Sequence, residues 1–325
     1  MKKNGNIYGE IIKALDNKNI LITGHLAPDA DCISSLLAIY LAFGGRKKGW
    51  QVLLEDDYPE NLCFLPFINI IKKPHEIAGS IDNVLLLDCG DYKRAAAKDW
   101  LDPYKEKPLY IIDHHQKLSD HGDVIVHESN AAATAQIVYK IIKEAGINVD
   151  KDIALLLYSG IAADTGGFRY SNTSKETLIL SAELLDYGVD LEKVRINLFE
   201  RRSFANMKLL GVALDSLELF YGGQVAMMVV DRSSMLKYQA SPTDCANIVN
   251  FSLLVENVGI GLFLEEREDE VKVSLRCRDN YTVDDIAASL GGGGHFRAAG
   301  CSLKCTLEDA KRTLLQAINC KIAGV

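Results

Sequence analysis

Leu109-Tyr110-Ile111-Ile112-Asp113-His114-His115 is the stretch that decides how this chain is read. Four apolar residues predict a buried strand, and three metal-capable side chains follow it at once. Packing does not need an Asp and two His at a strand end. Outward from this point, short apolar runs alternate with helical patterns. Asn19–Thr23, Gln51–Glu55, Asn83–Asp88, Leu109–Asp113 and Val124–His127 read as strands. Asp31–Phe43 and Ala131–Ala145 read as helices, the second ended by Gly146. This alternation predicts an α/β fold with a mostly parallel sheet flanked by helices. Ligands of such sheets bind beyond the carboxyl ends of the strands, where His25, Asp88 and His114 fall.

Helical patterns continue through Ile153–Ala163, Lys175–Tyr187, Leu191–Phe199 and Phe204–Leu219, and Tyr221-Gly222-Gly223 ends the series. A second set follows: a strand over Gln224–Val230, a helix near Pro242–Glu256, and strands over Gly259–Leu264 and Val271–Cys277. Glu265-Glu266-Arg267-Glu268-Asp269 reads as an exposed hairpin turn. A helix near Val283–Leu290, a glycine run, a short strand and a helix from Thr306 complete the chain. The expected division is residues 1–187, a helical linker over 188–222, and a smaller α/β domain over 223–325. No repeat or low-complexity segment interrupts it.

With 325 residues, 48% of them hydrophobic, the chain can build two cores. Its net charge of -8 opposes a long groove for duplex DNA, which depends on many basic phosphate contacts. A small phosphorylated ligand is still compatible, because bound metals reverse the local charge. Met1–Glu10 lacks the apolar core of a secretory signal, and Ile153–Ala163 is too short to span a bilayer. The eight Cys form no zinc pattern and read as reduced core thiols. A cytoplasmic protein without a membrane partner is expected.

Four clusters carry the chemistry. Gly24-His25-Leu26-Ala27-Pro28-Asp29-Ala30-Asp31 joins a strand to a helix; Asp31 as a helix cap would explain one carboxylate, but not His25 and two Asp. Asp88 ends an apolar strand, and Asp91 is better suited to capping the next helix. His114 and His115 cannot project identically, so one can bind metal while the other faces substrate or makes a supporting hydrogen bond. Asp164 closes an apolar helix, where an anion needs a partner. His75, His121 and His127 read as surface or structural residues. If ionised, Asp29, Asp31, Asp88 and Asp164 carry four negative charges, which two divalent cations would balance. Without metal these carboxylates would raise one another's pKa. A mixed nitrogen and oxygen donor set suits manganese, and also iron, cobalt or zinc, better than magnesium.

These clusters, in this order, resemble the DHH phosphoesterase superfamily. Leu290-Gly291-Gly292-Gly293-Gly294-His295-Phe296-Arg297-Ala298-Ala299-Gly300 is similar to the signature of the DHHA1 domain. The length and layout look most like the nanoRNase/pAp phosphatase group of that branch. The resemblance implies that residues 1–187 are the DHH catalytic, metal-binding domain and residues 223–325 the DHHA1 substrate-binding domain. It implies that His25, Asp29 and Asp88 hold one metal. Asp31, Asp88, His114 and Asp164 would hold a second, with Asp88 bridging. His115 would face the scissile phosphate as a catalytic residue, and Asp113 would support the triplet. Ala30 and Ser34 stand where the family usually has Gly, although neither is a ligand position.

Glycine at 291–294 lets backbone N–H groups approach a phosphate without Cβ clashes. Arg276 and Arg278, two apart on a predicted strand, share a face and can grip a phosphate or stack on a base. A solvated basic edge and a flexible loop are the plain alternatives, and the resemblance favours substrate binding by Arg276, Arg278, Gly292, Gly293, Gly294 and His295. The implied activity is manganese-dependent hydrolysis of short oligoribonucleotides or of 3'-phosphoadenosine 5'-phosphate. A homodimer is compatible with that reading. The competing readings are a cyclic or linear dinucleotide phosphodiesterase and a non-catalytic nucleotide sensor.

Overall fold

A computed structural model describes residues 7–89, 95, 104, 106–115, 122–278 and 281–322, with backbone only at His295 and 320–322. Asp91 and His121 lie outside the described residues. The chain forms two compact units, Met1–Arg201 and Arg202–Val325.

The first unit contains a six-stranded sheet in the order β3-β2-β1-β4-β5-β6. Its strands are β1 (Ile20–Thr23), β2 (Gln51–Leu53), β3 (Ile71–Lys72), β4 (Asn83–Leu87), β5 (Leu109–Asp113) and β6 (Val124–His127). Each neighbouring pair is parallel, as the alternation of apolar runs and helices predicts. The order reverses between β1 and β4: the chain builds outward from β1 to β3, then from β4 to β6 on the other side. That switch point is where open parallel sheets leave a crevice for ligands. Thr23 lies opposite Leu86 there, so His25 and Asp88, each two residues further on, emerge side by side. The two-residue β3 was too short to read from the sequence.

Helices α1 (Ile7–Ala14), α2 (Ala30–Ala42), α3 (Gly45–Lys48), α4 (Thr134–Glu144), α5 (Lys151–Asp164), α6 (Lys175–Leu185) and α7 (Leu191–Arg195) accompany this sheet. Helices α2, α4 and α5 pack on one another. Gly160 permits the close approach: a Cβ there would lie 2.6 Å from Asp31 Oδ1 and 2.8 Å from the Ala135 Cβ. Asp150 caps α5 by accepting the Ile153 N–H, and fully buried Ile161, Leu156 and Leu157 join the main core. The helix expected over Leu191–Phe199 narrows to α7, followed by a wider π turn over Ile196–Glu200.

The second unit is also α/β, with strand order β11-β12-β10-β9-β8-β7. It contains α8 (Phe204–Asp215), β7 (Glu218–Phe220), β8 (Val225–Val230), α9 (Arg232–Lys237), β9 (Ile260–Glu266), β10 (Val271–Cys277), α10 (Asp284–Ser289), β11 (Gly293–His295), β12 (Ala298–Leu303) and α11 (Leu307–Ile322). Both faces of the sheet are buried at β8. Val225, Met227 and Val229 join one core with Leu314 and Ile318, while Met228 and Val230 join another with Leu209 and Leu210. This is the period-two alternation of a central strand.

Three local expectations are corrected here. Pro242–Glu256 forms two short tight helical segments, Pro242–Cys245 and Ile248–Leu254, rather than one α-helix. The pattern read as helical to Leu219 stops at Asp215, and Glu218 begins β7. Glu265 is buried within β9, not exposed in a turn, because the Arg267 guanidinium donates to both its oxygens at 2.8 and 3.2 Å.

Gly160→Ala should lower the free energy of unfolding by about 1–3 kcal/mol, the usual cost of an added methyl group in a packed site. Denaturant unfolding measures this; an unchanged midpoint would show that the contact with Asp31 is loose.

Candidate metal centre

The first motif is assembled where β1 turns into α2. A Cβ on Gly24 would lie 2.2 Å from Cys32 Sγ and 3.2 Å from the Leu87 carbonyl, so only glycine lets β1, β4 and α2 meet this closely. Asp29, rather than Asp31, caps α2 by accepting the Cys32 N–H at 3.0 Å. Asp31 enters the first turn fully buried. Its carboxylate accepts the backbone N–H groups of Thr134 at 2.6 Å and Ala135 at 3.0 Å, and the Ser35 hydroxyl at 3.3 Å. The start of α4 therefore grips a carboxylate at the start of α2.

Asp88 has a φ of +55°, in the left-handed region that costs a non-glycine residue on the order of 1–3 kcal/mol. That conformation ends the strand and turns a side chain only 2% exposed into the centre of the cluster. Its Oδ2 is 3.6 Å from His25 Nε2. Its Oδ1 is 3.5 Å from His114 Nε2 and 3.7 Å from His115 Nδ1, and accepts the Thr134 hydroxyl at 2.9 Å. Asp164 Oδ2 lies 3.3 Å from His114 Nε2, and Asp29 Oδ1 lies 3.9 Å from His25 Nε2. The structure thus brings His25, Asp29, Asp31, Asp88, His114, His115 and Asp164 together from four separate segments.

The histidine rings are oriented from behind. His25 Nδ1 contacts the Leu26 carbonyl at 2.7 Å, and His114 Nδ1 contacts the Ala131 carbonyl at 3.2 Å. A ring donating from Nδ1 turns the lone pair of Nε2 toward the carboxylates, which favours a cation between them or a proton on the ring. His115 is held differently. Its backbone N–H and its Nδ1 meet Asp113 Oδ1 at 3.1 and 2.7 Å, which leaves Nε2 for another partner.

Charge crowding supports the same interpretation. Burial pushes the Asp31 carboxyl well above its ordinary range, and the charges of Asp88, Asp164 and Asp29 push it further. Asp164 is raised by burial and by Asp29 and Asp88. Burial also acts to raise Asp88, but His25, His114 and His115 outweigh it and hold that carboxyl below its ordinary range. Burial works against a charge on His25, yet its contacts with Asp88 and the Leu26 carbonyl carry its pKa up to about 9. His115 is raised by its bond to Asp113. Three crowded carboxylates, Asp31 and Asp88 buried and Asp164 half-buried, beside imidazole nitrogens fit a divalent metal site. The donor atoms of Asp88, His114 and His115 lie within 4.8 Å of one another, as do those of Asp31, His114 and Asp164, and those of His25, Cys32 and Asp88.

Cys32 and Thr134 carry no signal in the sequence. Cys32 resembles any core thiol inside an apolar helix, and Thr134 follows three alanines with no motif letter of its own. A carboxylate gripped by the start of a helix is visible only once α2 and α4 are packed.

In the second unit, Arg276 lies on β10 and its Nη1 donates to the Leu275 carbonyl at 3.0 Å. Arg278 falls just beyond the strand and donates to the Leu253 carbonyl. The glycine run is an edge strand rather than a free loop: Gly293, Gly294 and His295 pair with Gly300, Ala299 and Ala298. A Cβ at Gly292 would sit 2.2 Å from the Gly300 carbonyl oxygen, and at Gly294 2.5 Å from that of Ala298. The N–H groups of Gly291 and Gly292 donate to the Ala288 and Ala287 carbonyls, closing α10.

Carboxylates and imidazoles gathered at the switch point of a parallel sheet, with a second α/β unit beyond it in the chain, define a metal-dependent phosphoesterase. Residues 19–161 match the DHH family, N-terminal domain, and residues 205–324 match the DHHA1 domain. The chain belongs to the DHH family. It is 32% identical over 315 residues to a bifunctional oligoribonuclease and PAP phosphatase, NrnA, of Thermus thermophilus, covering 96% of this chain and 92% of that protein. It is 27% identical over 261 residues to a probable manganese-dependent inorganic pyrophosphatase of Bacillus cereus, covering 76% and 81%. Its fold matches the crystal structure of an exopolyphosphatase-related protein from Bacteroides fragilis, with a TM-score of 0.90, 24% identity, and 98% and 97% of the two chains covered.

The raised groups act on stability in one direction, whereas Asp88, held low, contributes stability that is lost only as pH falls below about 4. Asp31 and Asp164 keep their protons to higher pH when folded than when unfolded, so stability falls as pH rises from about 4. His25 stabilises the fold fully below its ordinary 6.5, and that contribution is gone above about 9. Metal-free protein should therefore lose thermal stability between about pH 5 and 9, and added Mn2+ should restore more of it as pH rises. Melting curves with and without metal test this; a metal-free melting temperature that climbs over that range would contradict it.

Proposed function

We propose that this protein hydrolyses 3'-phosphoadenosine 5'-phosphate and very short oligoribonucleotides, using two manganese ions. The observation that carries the reading is 32% identity across 96% of the chain to a relative named for both activities. A compact cluster of the expected donors supports it. In this assignment His25, Asp29 and Asp88 hold one ion, and Asp31, Asp88, His114 and Asp164 hold the other. Asp88 is suited to bridging because its two oxygens face different histidines, Oδ2 toward His25 and Oδ1 toward His114.

Bound there, divalent ions would lower the pKa of water and draw charge from the phosphoryl oxygens. The chain's own residues do the rest. Thr134 fixes the rotation of the Asp88 carboxylate through its hydroxyl and that of Asp31 through its N–H. Asp113, fully buried, locks His115 by its Nδ1 and directs Nε2 outward, where it can give a proton to the departing oxygen. In the second unit Arg276, Arg278 and the Gly292–His295 edge strand are the proposed substrate-binding elements. The setting is cytoplasmic, and the net charge of -8 disfavours duplex DNA. Among the described residues no helix is long and apolar enough to cross a membrane.

Asp88→Ala should reduce manganese-dependent hydrolysis of 3'-phosphoadenosine 5'-phosphate and of di- to pentaribonucleotides by on the order of a thousandfold. Assays beside short DNA, cyclic di-AMP and pyrophosphate set the substrate class, and unchanged turnover in this variant would refute the bridging role. His115→Ala should cost roughly 10²–10⁴-fold in kcat while bound manganese, measured by elemental analysis, stays constant.

A further inference from the structure

The segment after Asp164 is folded by residues with no part in the metal cluster. Gly166, Gly167 and Phe168 have φ values of +57°, +68° and +64°, three left-handed residues in succession. Thr165 organises the turn. Its hydroxyl accepts the Phe168 N–H at 3.0 Å, and its carbonyl accepts the N–H groups of Arg169 at 2.9 Å and Tyr170 at 3.0 Å. The Asn172 side chain then donates at 3.1 Å to both the Asp164 and the Ala132 carbonyls. Ala132 adjoins Ala131, whose carbonyl orients His114. The loop is thus tied at both ends to the backbone that carries the cluster. The Tyr170 amide lies one hydrogen bond from the residue next to Asp164.

This arrangement displays an aromatic ring. A Cβ on Gly166 would lie 2.4 Å from Tyr170 Cζ and 2.6 Å from both Cε1 and Cε2, so the phenol end of the ring lies over that glycine. Tyr170 is nevertheless 58% exposed. The ring is held against Gly166 while more than half of the residue stays exposed. A tyrosine serving only to fill space would be covered on both faces, and a mobile surface side chain would need neither the glycine nor the tied loop. Arg169 is turned aside, with its Nε donating to the Gly166 carbonyl at 2.6 Å and its guanidinium 5.9 Å from the Phe199 ring centre.

We propose that Tyr170 is a stacking platform for the nucleobase of the substrate, placed on the catalytic unit at the rim of the metal cluster. The inference deepens the nucleotide reading above and rests on it. Stacking accepts any base, which suits an enzyme acting on short strands of mixed sequence, and it leaves phosphate recognition to the metals and basic residues.

Equilibrium binding to the full chain, with Ca2+ in place of manganese, tests this with two ligands: 3'-phosphoadenosine 5'-phosphate and base-free ribose 3,5-bisphosphate. Tyr170→Ala should weaken the adenine ligand by on the order of tenfold and leave the base-free ligand unchanged. Tyr170→Trp should restore adenine binding. Loss of affinity for both ligands alike, or for neither, overturns the stacking role. The nucleotide reading fails separately, if wild-type protein with manganese turns over neither 3'-phosphoadenosine 5'-phosphate nor short RNA. Selective loss of adenine binding in that case would keep Tyr170 as a base platform and overturn only the reaction.

Discussion

Three carboxylates that repel one another govern this structure. Asp31, Asp88 and Asp164 are driven together at the end of a parallel sheet, where burial would by itself keep them protonated. A fold gains nothing from that crowding unless positive charge occupies the space between them. The raised pKa of Asp31, Asp164 and His25 reflects that demand, and divalent ions held as proposed would meet it. The fold holds electrostatic repulsion at this point, and metal bound at the proposed centre would relieve it.

The surrounding architecture exists to maintain that position. The reversal of strand order between β1 and β4 sets His25 beside Asp88. Gly24 and Gly160 remove the side chains that would hold β4 and α5 away from α2. Thr134 reaches two carboxylates at once and joins the cluster to α4. The left-handed backbone at Asp88 is a local cost that the tightly packed strand ends offset.

Much of this is legible in the sequence because it depends on local chemistry. A carboxylate or histidine at the end of an apolar run is visible in the letters, and so His25, Asp88, His114 and Asp164 can be placed from the amino-acid order alone. The parallel sheet is implied by the spacing of those runs. The features that escape depend on contacts distant in sequence. Thr134 and Cys32 are anonymous until α2 meets α4 and β1. Glu265 reads as solvent-exposed because its partner, Arg267, belongs to the same charged string. The glycine run gives no strand signal because glycine has low strand propensity, yet here its lack of a Cβ is what allows pairing with β12. Pro242–Glu256 has helical spacing, but two short tight turns satisfy it instead.

The division of labour proposed within Asp113-His114-His115 rests on the same geometry. Adjacent histidines are set by different anchors, one by a main-chain carbonyl and one by a carboxylate, which suits the different roles proposed for them. The proposed two-ion centre turns on Asp88 serving both ions at once. Electron paramagnetic resonance of the protein loaded with two equivalents of manganese is the most direct test. A shared Asp88 predicts an exchange-coupled multiline spectrum that collapses to isolated six-line signals in Asp88→Ala. Six-line signals from the wild-type protein at two equivalents would contradict it.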